Sequence, residues 1–400
     1  MFRFIFLCVL LLNSCTLFAE QLLAQFVDPI DGKIDASNYL SENVYGFLPV
    51  PIIITDPALD SGLGMVGLFF HESEEDANKR IAALKTSEGA TPHLFPPSVS
   101  ALGGAYTGND SWFGGAAHLG FFKQGDIRYL GATGYGDVNL NFYGFGDFSF
   151  NRPLEINTQA IAVLQNLKFR VADTKLFVGI KQNYTSASLK PTKLPDFSNI
   201  LPPNWQGPVE EVLKKMLSTD ITTSGLGLVF EFDNRDNFFS PNKGYRYSLD
   251  ITRFDEHLGS DIEYDLYFAE GLNYWQLNDS WRFALKLSAE HANTNTLLPP
   301  YALPSIKLRG VPMGRYQGDY VFSTESEINY DINNRWSISA FTGLGRFGTS
   351  LDSIKSGNSQ IAKGVGFRYL IARRYGFKMG LDVAFGPEET VWYVQAGTAW

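Results

Sequence analysis

YGFKMGLDVAFG, residues 375–386, decides how this chain is read. Phe377, Met379, Leu381, Val383 and Phe385 fall on one side of an extended backbone, and Lys378, Gly380, Asp382 and Ala384 on the other. Successive side chains of a strand point to opposite faces, so this alternation gives one apolar face and one polar or small face.

The division recurs upstream. Trp281, Phe283, Leu285, Leu287 and Ala289 oppose Arg282, Lys286, Ser288 and Glu290; Leu226, Leu228, Phe230 and Phe232 oppose Gly225, Gly227, Glu231 and Asp233. Phe322, Ile328, Tyr330 and Ile332 likewise oppose Glu325, Glu327, Asn329 and Asp331. Turn-forming stretches at 108–111, 172–175, 277–280 and 332–334 join many of the runs, whereas the connections 72–96, 190–219 and 293–319 are long. Alternation alone leaves two architectures open. A soluble sandwich buries the apolar face, and a membrane barrel shows it to lipid.

Three features favour the barrel. From residue 61 onward there are about fifteen runs, and one more within 126–150 brings the number to about sixteen, the even count that such barrels need. The closing run ETVWYVQAGTAW, residues 389–400, puts Trp392 and Trp400 on one face, ~27 Å apart along the strand, a spacing that suits two aromatic girdles. The chain also opens as an exported one. MFRFIFLCVLLLNSCTLFAE has an arginine, an apolar core from Phe4 to Leu12 and small or polar residues up to Ala19, the layout of a signal peptide. Cleavage after Ala19 is expected, with lipoprotein processing at Cys15 as the alternative.

Both cysteines, Cys8 and Cys15, lie in that segment, so the mature chain is expected to have neither disulfides nor thiolate chemistry. A net charge of −9 gives no basic footprint for nucleic acid. The expected organisation is a signal peptide at 1–19, a short periplasmic segment at 20–60 and an all-β transmembrane antiparallel barrel at 61–400. Within a long loop, 207–218 has the spacing of a short amphipathic helix.

Two stretches carry more than alternation. FEFDNRDNFFSPNKGYRYSLDI (230–251) and KLRGVPMGRYQGDY (307–320), the latter followed by TESEINYDI, resemble the barrel of the bacterial surface-antigen family of BamA/TamA-like outer-membrane proteins. The resemblance is specific over about 221–400 and general over 61–220. It implies a sixteen-stranded barrel whose first and last strands pair weakly, with a long extracellular loop folded into the lumen. The loop's Arg-Gly pair is Arg309 and Gly310, and the arginine is expected to reach Glu327 and Glu325 on the wall. Gly343 and Gly345 would leave it room, and Arg315 is expected to point inward too.

The family's next-strand acid is absent, since the pattern reads Phe341-Thr342-Gly343-Leu344-Gly345. The seam is expected between a strand carrying Gly62, Gly64 and Gly67 and a last strand carrying Trp392, Gly397 and Trp400. About forty residues lie between the expected cleavage site and the first strand expected, too few for a periplasmic POTRA module, so the chain resembles the nearly all-barrel branch. The implied role is outer-membrane biogenesis, the insertion or translocation of protein or lipid; a passive or substrate-specific pore is the alternative. The expected partners are outer-membrane lipids, client outer-membrane proteins or a separate periplasmic protein, around a monomer.

No catalytic, cofactor or metal set emerges. GLGMVG, residues 62–67, fits G-x-G-x-x-G but lacks the strand before and the helix after that a dinucleotide turn requires. The five histidines have no metal-binding spacing, and no G-x-S-x-G elbow occurs. Asp233, Arg235 and Asp236 are read as a charged chain reversal, and Arg368 with Asp382 as an ion pair across neighbouring strands.

Overall fold

The computed structural model describes residues 25–42, 47–56, 58–71, 75, 78, 97–145, 148–193, 220–397 and 400. The expected signal peptide and the expected helix at 207–218 lie outside these residues. Sixteen strands form one antiparallel sheet in strict chain order, which curls into a nearly closed barrel. They are β1 (Phe47–Ile54), β2 (Gly62–His71), β3 (Ser98–Thr107), β4 (Trp112–Phe122), β5 (Ile127–Phe145), β6 (Phe148–Arg170), β7 (Leu176–Lys193) and β8 (Asp220–Asp233). The second half comprises β9 (Gly244–Phe254), β10 (Tyr264–Gln276), β11 (Trp281–Asn293), β12 (Tyr320–Asp331), β13 (Trp336–Gly348), β14 (Gln360–Ala372), β15 (Phe377–Phe385) and β16 (Thr390–Ala396).

The period-two reading fixes the two faces. Leu63, Met65, Leu102, Ile180, Leu226, Leu228, Ile338, Val365 and Trp392 are exposed on the outside. Phe230, Leu249, Ile328 and Phe367 are exposed likewise, and one residue from each stand Glu231, Asp250, Glu327 and Arg368, buried on the inside together with Glu325 and Asp382. An apolar face turned outward and a charged face turned inward is the division a lipid-embedded barrel requires. Aromatic residues cluster at both ends of the band: Tyr106, Trp112, Tyr135 and Tyr267 at one, Trp275, Trp281 and Trp336 at the other. On β10 alone, Tyr267 and Trp275 stand ~27 Å apart along the strand, less once it tilts. No helix among the described residues is long and apolar enough to cross a membrane.

The sixteenth strand is not hidden in 126–150, which is β5 and the start of β6. It is β1, in FLPVPIII, ahead of the expected barrel boundary at 61. Pro49 and Pro51 argue against a strand because proline has no N–H to donate. An edge strand tolerates them. The β1–β2 register runs unbroken from Phe47↔Phe69 to Ile54↔Gly62. Since bonded positions alternate in an antiparallel pair, the bonds to β2 run through Leu48, Val50, Ile52 and Ile54. The nitrogens of Pro49 and Pro51 therefore face the free edge. One long connection also departs from expectation: 72–97, between β2 and β3, lies at the end that otherwise has short turns.

Residues 26–42 form a strap across the short-turn end. A bridge between Val27 and Ile34 and a turn at Gly32 lead into a short helix, α1 (Ser37–Glu42). Arg335, in the β12–β13 turn, is fully buried against Asp28, Asp31 and Asp35, and Arg373 in the β14–β15 turn also pairs with Asp28 and Asp31. Ala36 and Leu40 share a buried cluster with Leu48, Val50 and Phe70 on one side and Ala372, Tyr375 and Phe377 on the other.

The Arg335 hydrogen bond holds the Asp31 carboxyl below its ordinary 3.8, at about 2. A carboxylate held low stabilises the fold fully above its ordinary value and loses that contribution as pH falls through the lowered one. Pepsin cleavage within residues 26–40 is therefore expected to rise as pH falls from 3.8 to about 2. Arg335→Ala is expected to open the same segment to trypsin at neutral pH; equal protection in wild type and variant would refute the strap's ionic anchoring.

Candidate functional site: an arginine lock beside an incomplete seam

The connection from β11 to β12, residues 294–319, runs back against the inward face of the wall. Ile306, Leu308 and Val311 pack with Val321 and Ala362 in one buried cluster. Gly343 and Gly345 make this possible. A Cβ on Gly343 would meet Leu308 Cδ2 at 3.0 Å, and one on Gly345 would meet Ile306 Cγ2 at 2.6 Å. Gly310 has φ +88°, and a Cβ on the facing Gly386 would overlap its carbonyl oxygen. Backbone passes backbone there, which is a glycine's role.

This path delivers Arg309 to three carboxylates. Its Nε donates to Glu325 Oε1 at 2.9 Å and its Nη2 to the same oxygen at 2.6 Å. Nη2 also lies 2.7 Å from Glu327 Oε2, and Nη1 donates to Asp382 Oδ2 at 2.7 Å. The Phe341 ring lies under the guanidinium at 3.5 Å. All four charged groups are buried. The sequence pointed to Glu325 and Glu327; the expected shortage of one acid is made good by Asp382 from β15. Asp382 holds Arg368 as well, the ion pair expected across neighbouring strands. Phe341, from the position pattern that lacks the family acid, contributes a ring face instead.

Other expectations need correction. Arg315 does not join this cluster: its Nη2 lies 3.5 Å from Glu388 Oε1 in the β15–β16 connection, at the rim. Its place five residues beyond the Gly310 turn and next to Gly314, at φ +69°, carries it away from the wall acids. Trp400 is not on the outer girdle with Trp392. Gly397, at φ +86°, ends β16, and the Trp400 indole N–H donates to Glu325 Oε1 on the inside. Gly62, Gly64 and Gly67 sit on β2, paired with β1 and β3, and so do not line the seam. A Cβ on Gly67 would overlap the Phe47 ring of β1, so the glycine serves packing.

The seam lies between β1 and β16. Among the described residues no backbone ladder joins them. Instead the Thr55 hydroxyl bridges both main-chain groups of Trp392, donating to its carbonyl at 2.7 Å and accepting its N–H at 2.9 Å. The lock touches both sides of this gap. Gly310 N–H donates to the Tyr393 hydroxyl of β16 at 2.9 Å, and Met313 N–H donates to Asp56 Oδ2, beyond β1, at 3.1 Å. Neither Tyr393 nor Asp56 carried a sequence signal, because their partners are backbone groups of a distant loop.

A second charged cluster stands on the far wall. Arg128 pairs with Glu231 and Asp233, and Lys168 with Glu231. Arg235 binds Asp233, while Asp236 accepts from the Asn242 and Lys243 amides, so the charged stretch is the chain reversal expected of it. The described residues hold no group of three His, Cys, Asp or Glu placed for a metal.

Removing one partner of a buried pair costs ~3–5 kcal/mol, because the other charge stays buried. Arg309→Ala leaves Glu325 and Glu327 without their cation, while Asp382 keeps Arg368, and is expected to cost at least that much in urea unfolding of the folded barrel. Glu327→Gln, which leaves Arg309 the two acids Glu325 and Asp382, is expected to cost less. Unchanged stability of Arg309→Ala would mean that the loop is not pinned.

The Omp85 superfamily domain profile matches residues 128–303, which excludes the Arg309 stretch itself. No curated protein matches the sequence. Among solved structures, BamA from Haemophilus ducreyi lacking POTRA domains 1–3 is 13% identical, with a TM-score of 0.53 over 88% of this chain and 70% of that one. CdiB from Acinetobacter baumannii is 12% identical, with a TM-score of 0.51 over 88% of this chain. CdiB from Escherichia coli is 11% identical, with a TM-score of 0.51 over 87%. The chain spans 58% and 62% of the two CdiB chains. At these identities the likeness is one of fold. Residues 128–303 thus match the Omp85 superfamily domain, and the chain shares the barrel fold of BamA and CdiB.

Proposed function

We propose that this chain is a non-enzymatic barrel of the bacterial outer membrane that inserts or translocates protein or lipid by parting the β1–β16 seam. In this reading the mature chain starts after Ala19, the segment before β1 is periplasmic, and 294–319 is an extracellular loop folded into the lumen. It works as a monomer with outer-membrane lipids and either client outer-membrane proteins or a separate periplasmic protein; nucleic acid has no part.

The observation that carries the reading is the seam. A barrel that only had to stay closed would complete its backbone pairing, since an open sheet edge in hydrocarbon is costly. Here two prolines remove donors from one edge and, among the described residues, no backbone ladder closes the gap, which the Thr55 side chain bridges. The contacts of the loop with β15, β16 and the β1–β2 connection support a role in holding that gap shut.

A disulfide between cysteines at Thr55 and Trp392 tests this in a depletion strain scored for outer-membrane protein content and lipid asymmetry. The oxidised variant is expected to fail to restore either, with recovery on reduction. Full activity of the locked barrel would reject lateral opening. A steady conductance in planar bilayers that rises in Arg309→Ala would favour a pore instead.

A further inference from the structure

The outer face of β2–β7 carries an interruption that the seam does not explain. His71, Ser100, His118, Tyr129, Gln165 and Gln182 all point outward, one from each successive strand. They form a string. His71 Nε2 and His118 Nδ1 each lie 2.9 Å from the Ser100 hydroxyl. The Tyr129 hydroxyl donates to Gln165 Oε1 at 3.3 Å, and Gln165 Nε2 donates to Gln182 Oε1 at 3.2 Å. The register aligns the string, since Ser100↔His118, His118↔Gly131, Gly131↔Gln165 and Gln165↔Gln182 are direct cross-strand pairs. Gly131 is what lets Tyr129 lie flat in the row, because a Cβ there would overlap the Tyr129 hydroxyl.

The row starts at the rim, where His71 ends β2 and Ser100 and Tyr129 stand near the starts of β3 and β5, and enters the band on β4, β6 and β7. His118 is four residues from Phe122 at the short-turn end of β4 and six from the girdle residue Trp112. That places it ~14 Å along the strand from the nearer end, inside the apolar band. Polar groups at that depth are costly and concentrate where something polar binds. Beside the row, Ala116 and Thr133 floor a shallow groove of ≈ 570 Å³ whose walls include Leu102 and Val163. No lining residue is Lys, Arg, Asp or Glu.

We propose that this groove binds the glycerol-ester region of a glycerophospholipid, with the His–Ser–His–Tyr–Gln row donating to the ester carbonyls and the Leu102–Val163 side receiving the start of an acyl chain. The proposal rests on the outer-membrane reading above. Three observations select this occupant. The groove is polar on one side and apolar on the other, as an ester-linked lipid is. Its volume is that of a small-molecule site, ~300–1,000 Å³, rather than of a protein interface. It lies nearer the short-turn end, which in such barrels faces the periplasm, where the leaflet is glycerophospholipid. Uncharged donors suit ester carbonyls, whereas a site for the anionic headgroup would draw on Arg or Lys.

The test uses the full chain in phosphatidylethanolamine–phosphatidylglycerol vesicles containing a trace phospholipid with a photoactivatable diazirine beside the ester. Crosslinks are expected to concentrate on residues 98–170 relative to the opposite wall, β10–β13. His118→Leu with Gln165→Leu is expected to lower that labelling about tenfold, the equivalent of one to two lost hydrogen bonds. Both positions face outward, so the variant is expected to keep the heat-modifiable gel mobility of a folded barrel. If it does not fold, Ser100→Ala, which removes only the hydroxyl joining the two imidazoles, is read in the same way. Equal labelling of both walls, or enrichment that survives the substitutions, overturns the site while leaving the membrane reading intact. Crosslinking of one copy to another through this face overturns it in favour of a protein interface. Failure of the wild type to insert into the vesicles overturns both readings.

Discussion

A sheet placed in hydrocarbon must satisfy its own edges, and this one leaves the last joint incomplete. Fifteen of the joints are antiparallel ladders, three of them with a register shift. At the sixteenth, Pro49 and Pro51 face β16 without donors and Thr55 supplies the bridge. Other parts of the molecule compensate from both ends. The strap at 26–42 joins the β14–β15 turn to the β1–β2 side through Arg373, Ala36 and Leu40. At the opposite end, the loop at 304–319 reaches Asp382, Tyr393 and Asp56. The gap is thus bridged near one end, by Thr55 and the loop contacts, and spanned by the strap at the other.

The loop's hold depends on Arg309. One guanidinium among three carboxylates leaves a local excess of negative charge, which Arg368 reduces by sharing Asp382. The Phe341 ring shields one face of the cation, and the Trp400 indole occupies further acceptor capacity on Glu325. Such a network is strong while every member is present and costly once one is removed. It also ties the loop, β12, β15 and the chain beyond β16 together through shared carboxylate oxygens.

The two faces of the wall follow different rules. Inside, buried charges are paired almost everywhere, as on Arg128, Lys168, Lys181 and Arg282. Outside, the surface is largely apolar, and the row from His71 to Gln182 departs from that by linking polar groups to one another. Mutual bonding reduces the cost of holding such groups in lipid but leaves each imidazole and amide with capacity for a further partner.

The alternation in 222–233, 281–290, 321–332 and 375–386 determined the strands and their two faces, because a side-chain period of two is a local property; the strand count, the terminal tryptophans and the export signal pointed to the barrel. The shared face of Glu325 and Glu327 was legible for the same reason, whereas their meeting with Arg309 was what the family resemblance implied. β1 was not, since prolines read as strand breakers until a free edge is there to receive them. Asp382 as an Arg309 ligand, Asp28, Asp31 and Asp35 around Arg335, and the path of Arg315 were decided by tertiary structure alone. Each depends on chain segments tens to hundreds of residues apart meeting on a closed wall, and on glycines 310, 386 and 397 turning the backbone where no periodic pattern remains.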